Sequence, residues 1–190
     1  PTPTIGGIGL IKDFKNMITM DFKNTGNSVL ILGKTEGHLD QSIFAKEILS
    51  EKKGPPPNVN LFNEKNIGET ILKLIDKNLI VSCHDVSLGG ILTGISKMCI
   101  KGNKGININS IKGLINKFEY FFGEDQGRFI IELTKKNLEK TKKILDDNSV
   151  HFDEIGIVEN SIIKFNDDIN IHIDELAEEN NNWLKNYMVN

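Results

Sequence analysis

Residues 79–99, LIVSCHDVSLGGILTGISKMC, constrain this chain more than any other stretch. They open as a short apolar run with β-branched residues, pass through a polar loop closed by two glycines, and continue with apolar residues at helical spacing. A strand followed directly by a helix buries its apolar surface only in a layered body, a sheet with helices packed on it. The same alternation recurs along the chain. Residues 28–35, SVLILGKT, read as a strand ending at Gly33. Leu39, Ile43, Phe44, Ile48 and Leu49 recur at helical spacing until KKGPPPN, where Gly54 releases the helix and three prolines cannot continue it. Ile67, Ile71, Leu74 and Ile75 predict a further helix, residues 102–109 a Gly/Asn-rich break, and residues 128–133 a strand. A helix over 135–146 carries Leu138, Thr141 and Leu145. Short strands follow near 152–158 and 162–165, then a run at 169–173 and a last short helix with Trp183. In the lead, Ile5, Ile8, Leu10 and Ile11 alternate as in a strand or sheet edge. Adjacent short strands near the end favour an α+β fold, a mixed β-sheet with helices packed on it.

At 190 residues the chain matches one domain, residues 1–190, with enough length for a single core. Basic residues number 23 and acidic residues 26, without a basic block, which argues against nucleic acid as a partner. Cys83 and Cys99 stand alone, outside any metal-site or disulfide pattern, and are expected to be reduced. The apolar runs are far shorter than the roughly 20 residues of a membrane span. A soluble, cytoplasmic protein is expected. The opening at Pro1 reads as a piece of something longer.

Two polar stretches carry candidate chemistry. In SCHDVSLGG, His84, Asp85 and Ser87 sit at a strand's end, and Gly89 and Gly90 let backbone approach a ligand and turn into a helix. The alternative is structural: Asp85 or Ser87 caps the helix and His84 is a hydrogen-bonded framework residue. In FFGEDQG, Gly123, Glu124, Asp125 and Gln126 form a polar loop at a strand start, suited to ligand hydroxyls, amides or a magnesium shell, or else a turn with solvated carboxylates. Thr35, Asp40 or Ser42 is a cap or a contact beside His38, His151 and His172 are surface or satisfied residues, and Lys52–Lys53 and Lys135–Lys136 face water. No catalytic residue and no protein metal ligand is assigned.

PTPTIGGIGLI, GPPPNVNL, HDVSLGGI and FFGEDQGRFIIEL, in this order and spacing, resemble the C-terminal portion of the phosphoribosylformylglycinamidine synthase family. The later two motifs are shared more widely with aminoimidazole ribonucleotide synthetase, selenophosphate synthetase and thiamine-monophosphate kinase. The resemblance implies the C-terminal domain of the aminoimidazole ribonucleotide synthetase-like type, last of four units in a duplicated chain. It implies an ATP- and Mg2+-dependent ligase of purine biosynthesis that joins formylglycinamide ribonucleotide to ammonia from glutamine, through a phosphorylated amide oxygen. Most residues for that chemistry lie in upstream domains, so the fragment alone is expected to be inactive. Further partners implied are a separate glutaminase subunit and a small bridging subunit, because no glutaminase sequence follows Trp183.

Where the family's first half has Glu-Ser-Gln against the substrate, this sequence has Glu124, Asp125 and Gln126. Leu88 stands where the family has an acidic residue. Those departures suit an auxiliary nucleotide cleft, with Asp85, Gly89 and Gly90 supplying backbone geometry and Glu124 and Gln126 polar contacts. Two other readings stay open: a non-catalytic module of the same fold that binds or forms a homodimer through its sheet, and a related ATP-using synthetase.

Overall fold

A computed structural model describes residues 4–11, 13–51, 53–109, 116–166 and 168–189. Seven strands, β1 (Ser28–Leu32), β2 (Ser82–Asp85), β3 (Gly105–Ile108), β4 (Phe129–Leu133), β5 (Phe152–Glu159), β6 (Ile162–Phe165) and β7 (Ile169–His172), form one sheet in the order β2-β4-β1-β5-β3-β6-β7. All neighbours are antiparallel except β3 and β6, which makes the sheet mixed. The α+β expectation holds.

Period-2 geometry explains why β1 is apolar without a break. Val29 and Ile31 point into one core with Ile91, Ile95 and Met98 of α3 (Gly90–Gly102), Phe121 of α4 (Lys117–Phe122) and Ile173 at the start of α6 (Ile173–Val189). Leu30 and Leu32 point to the other core, with Ile67, Ile71 and Leu74 of α2 (Leu61–Asp76) and Leu145 of α5 (Leu138–Asp147). Each such buried aliphatic side chain contributes about 1.5–3 kcal/mol of transfer free energy. Helices therefore cover both faces of the central strands.

Several expectations need correction. The break over 102–109 contains β3, in the interior of the sheet. Ile106 and Ile108 are buried, while the amide-bearing Asn107 points outward. The helix expected from Leu39 is a single turn, α1 (Ile43–Glu47), capped by the Ser42 hydroxyl, which accepts the Ala45 N–H. Ile48 and Leu49 beyond it are exposed. Ahead of β4, where the sequence pattern predicts no element, Phe121 and Phe122 lie in α4, opened by a reciprocal Asn116–Glu119 capping box. The terminal helix α6 has 17 residues and is not short. In the lead, residues 1–3 lie outside the described residues, and residues 4–11 form no strand. Ile5 and Ile8 are 92% and 103% exposed, so the alternation there has no sheet beside it. Both cysteines are free, and burial pushes the Cys83 thiol up to about 12, Asp85 adding to the effect.

Candidate functional site

Strand direction gathers four connections at one end of the sheet. Leu32, the last residue of β1, pairs with Phe129 and Phe152, the first residues of β4 and β5, and Asp85, the last of β2, also pairs with Phe129. The segments after β1 and β2 and before β4 and β5 are neighbours for that reason. Gly33, at φ +90°, makes the turn out of β1, and a Cβ there would meet the Gly127 carbonyl.

The two polar loops meet at one oxygen. Glu124 Oε1 accepts the N–H of Gly89, 2.8 Å away, and also that of Ile43, at 2.8 Å. Neither Asp85 nor Ser87 caps α3. Gly89 is its N-cap, in a left-handed conformation without a side-chain cap bond, and both Asp85 and Ser87 are exposed. The structural alternative for these two residues thus fails in its details: a carboxylate from another loop does the capping.

Asp125 is 8% exposed and takes three backbone N–H groups, those of Glu36 and Gly37 on Oδ2 at 3.1 and 3.0 Å and that of His38 on Oδ1 at 3.1 Å. Arg128, 1% exposed, stands beside it with Nη1 at 3.4 Å from Oδ2. Its Nη2 donates to the Gly123 carbonyl at 2.6 Å and its Nε to the Asp125 carbonyl at 3.2 Å. Burial lowers the guanidinium pKa and the Asp125 charge opposes that shift. Glu124 and Asp125 are therefore bound inward, to the protein's own backbone. Gly123 is buried with them, against Gly37.

Gln126 is exposed and borders a cavity of about 310 Å³. Lys34, His38, Asn58, Asn63 and Gly127 line it together with Gln126 and the edge of Asp125. His84, Asp85, Ser87, Gly89 and Gly90 do not border it: the two loops meet at Glu124, and only the 123–127 loop lines the hollow. The asparagines escaped the sequence reading, although NVN after the prolines was a signal. Asn60 Oδ1 accepts the Asn63 N–H at 3.0 Å to cap α2 at the cavity wall. Such carboxamides offer neutral donors and acceptors together. Lys34 is paired with Glu36 at 2.9 Å. Among the described residues no group of three or more His, Cys, Asp or Glu side chains comes together as a metal site.

His84 has its side chain 15% exposed and its Nδ1 3.3 Å from Asp85 Oδ1. Burial lowers its pKa from 6.5, more than the Asp85 charge raises it. A histidine depressed on folding contributes stability that is present above the unfolded pKa and is lost as pH falls below it. The melting temperature should drop more between pH 7.5 and pH 5.5 than in His84→Gln. Equal drops would show that His84 carries no such linkage.

Residues 24–165 match the family described as AIR synthase related protein, C-terminal domain. Over 190 residues, all of this chain, the sequence is 62% identical to the phosphoribosylformylglycinamidine synthase subunit PurL of Pelagibacter ubique, and it is 34% identical over 188 residues to that of Rhodopseudomonas palustris. The chain spans 26% of the length of both relatives. Among solved structures, Thermotoga maritima PurL complexed with FGAR superposes with a TM-score of 0.72 at 20% identity, over 86% of this chain and 30% of that one. The structure of PurLQS from the same organism gives 0.65 at 19% identity, over 86% and 28%. These structures show the fold. No helix of the described residues is long and apolar enough to cross a membrane.

Proposed function

Because the chain belongs to the AIR synthase related protein, C-terminal domain family, we propose that it is the C-terminal domain of a phosphoribosylformylglycinamidine synthase. The whole protein then converts formylglycinamide ribonucleotide, ammonia from glutamine and ATP to formylglycinamidine ribonucleotide, ADP and phosphate in cytoplasmic purine biosynthesis. The observation that carries this reading is the 62% identity to a PurL subunit along the entire chain.

ATP with Mg2+ supplies the phosphoryl group that makes the amide oxygen a leaving group and neutralises its charge. The residues of this chain do not suit a triphosphate. Five backbone N–H groups at the gathered loops, those of Glu36, Gly37, His38, Ile43 and Gly89, are taken by Glu124 and Asp125, and the nearby Lys34 is paired with Glu36. On this reading the nucleotide phosphates and the metal are held by other domains of the longer protein. Gln126, Asn58 and Asn63 serve polar, uncharged parts of a ligand, and Gly89 and Gly90 set the backbone path of α3. Glu124 and Asp125 act as framework for those contacts. A glutaminase subunit and a small bridging subunit supply ammonia, in keeping with the relative solved as PurLQS.

The module reading is favoured by one observation: β7 ends the sheet with no strand on its outer side among the described residues. A chimaera separates the two. This chain replaces the matching quarter of the Pelagibacter ubique subunit, and ADP release is followed with formylglycinamide ribonucleotide and ammonium. Turnover of the parent's order, dependent on both, is expected. A folded chimaera that releases no ADP in response to the substrate would refute the proposal. Self-association of that inactive protein would instead support a dimerising module.

A further inference from the structure

Apolar residues three and four apart share one side of a helix. In α6 those positions are Ile173, Leu176, Leu184, Tyr187 and Met188, with Trp183 beside them, a single stripe along the helix. Trp183 and Tyr187 stand one turn apart, with ring centroids separated by 6.3 Å. The stripe begins against the protein: Ile173 is in the core and Leu176 packs on it. It continues into solvent, with Trp183, Leu184, Tyr187 and Met188 at 59%, 54%, 72% and 74% exposure.

Four side chains of this size expose roughly 500 Å², in the range of apolar patches that are often functional on a monomer. Trp, Tyr and Met are also types enriched where proteins meet. A lipid surface is the poorer fit. A helix lying on a membrane presents a basic polar face, whereas α6 carries Asp174, Glu175, Glu178 and Glu179 against one base, Lys185. Two copies joined through this stripe would bury at most about 1,000 Å², the low end for specific association of free partners. Between domains of one polypeptide the same area suffices, because the linker sets a high effective concentration. The helix also lies outside residues 24–165, the stretch shared with the wider domain family, yet inside the stretch that is 62% identical to the Pelagibacter ubique subunit. This chain spans 26% of that subunit, which leaves ample polypeptide to cover the stripe.

We propose that Trp183, Leu184, Tyr187 and Met188 form a docking face on α6 for an apolar surface of another domain of the same longer polypeptide. The inner half of the stripe then fixes the helix to this sheet, and the outer half fixes the sheet to its neighbour. The proposal rests on the functional reading for the existence of that neighbour.

The chimaera described above carries the test. Tyr187→Cys and, separately, Leu184→Cys on the stripe should react with a thiol reagent at least about tenfold more slowly than Lys185→Cys, which lies off the stripe on the same exposed turn. Labelling is read peptide by peptide, so that other cysteines do not interfere. Because a substitution could itself weaken the contact, hydrogen exchange in the unsubstituted chimaera is the second measurement: amides of residues 184–188 should exchange at least about tenfold more slowly than in an unstructured peptide. Equal labelling at 184, 185 and 187 together with unprotected amides would overturn the docking face. Protection that is lost on dilution, with the mass of a dimer before it, would assign the face to a second copy and overturn the proposal as well. A protected stripe in a chimaera that releases no ADP would count against the enzyme reading alone, and an active chimaera with an unprotected stripe against the docking face alone.

Discussion

Glu132→Ala is expected to destabilise the protein by about 3 kcal/mol or more, since each buried group left without its hydrogen-bond partner costs about 1–3 kcal/mol. Glu132 lies in the apolar strand β4, is completely buried and forms no ion pair among the described residues. Its charge is met by hydrogen bonds. Oε2 accepts the Lys23 N–H at 2.8 Å and the Ser82 hydroxyl at 3.1 Å, and Oε1 accepts the Asn24 N–H at 3.1 Å and Asn27 Nδ2 at 2.7 Å. Alanine leaves four donors without their acceptor and loosens Lys23 and Asn24 from the sheet, while Gly26 and Asn27 keep their backbone bonds to Val158. Glu132→Gln keeps one carbonyl oxygen but turns an amide donor toward donors, so a smaller loss of about 1–3 kcal/mol follows. Urea unfolding measures both. A loss below about 1 kcal/mol for the alanine variant would mean that the network is not what holds this segment.

Gly90→Ala should cost about 3 kcal/mol or more, since two mechanisms add. Gly90 has φ +71°, where an L side chain is strained. A Cβ would also lie 2.6 Å from the Phe121 carbonyl oxygen and 2.8 Å from that of Gly123, and both obstacles are backbone. The start of α3 would have to leave the end of α4, pulling Gly89 from Glu124. Gly6→Ala is the control, because nothing lies within 4 Å of a Cβ there. Equal urea midpoints for the two variants would sink this account.

The layered sheet was legible wherever side-chain period and burial coincide. In β1 and α2 nearly every apolar residue has a core to enter, so the pattern reads directly. It failed in β3, where Asn107 and the glycine before Ile106 look like a turn. Gly105 in fact sits against the Ile162 backbone, leaving no room for a side chain. It failed in the other direction in the lead, where Ile5, Ile8 and Leu10 alternate with no partner strand. Spacing alone is silent about what lies alongside.

At the candidate site, residue types were legible and their destinations were not. The motif FGEDQG placed carboxylates at the gathered loops, but whether Glu124 and Asp125 face outward depends on backbone N–H groups 35 to 89 residues away in sequence. Gln126 does face the cavity. Asn58 and Asn63 were passed over, since asparagine is common throughout the chain. A clue was present in RFIIEL: a carboxylate two residues after an inward isoleucine points inward as well, and must find donors.

The central position of β1 bears on how the chain is made. Its two neighbours are β4 and β5, and β5 begins at residue 152, some hundred and twenty residues after β1 ends. At ribosomal rates of about 5–20 residues per second, a nascent β1 waits roughly 6–24 s for its second partner. Throughout that interval one edge of the five-residue run SVLIL lacks its strand and stays open to pairing with other chains. Translation speed and chaperone supply, more than the equilibrium strength of the core, should therefore set the yield of folded protein.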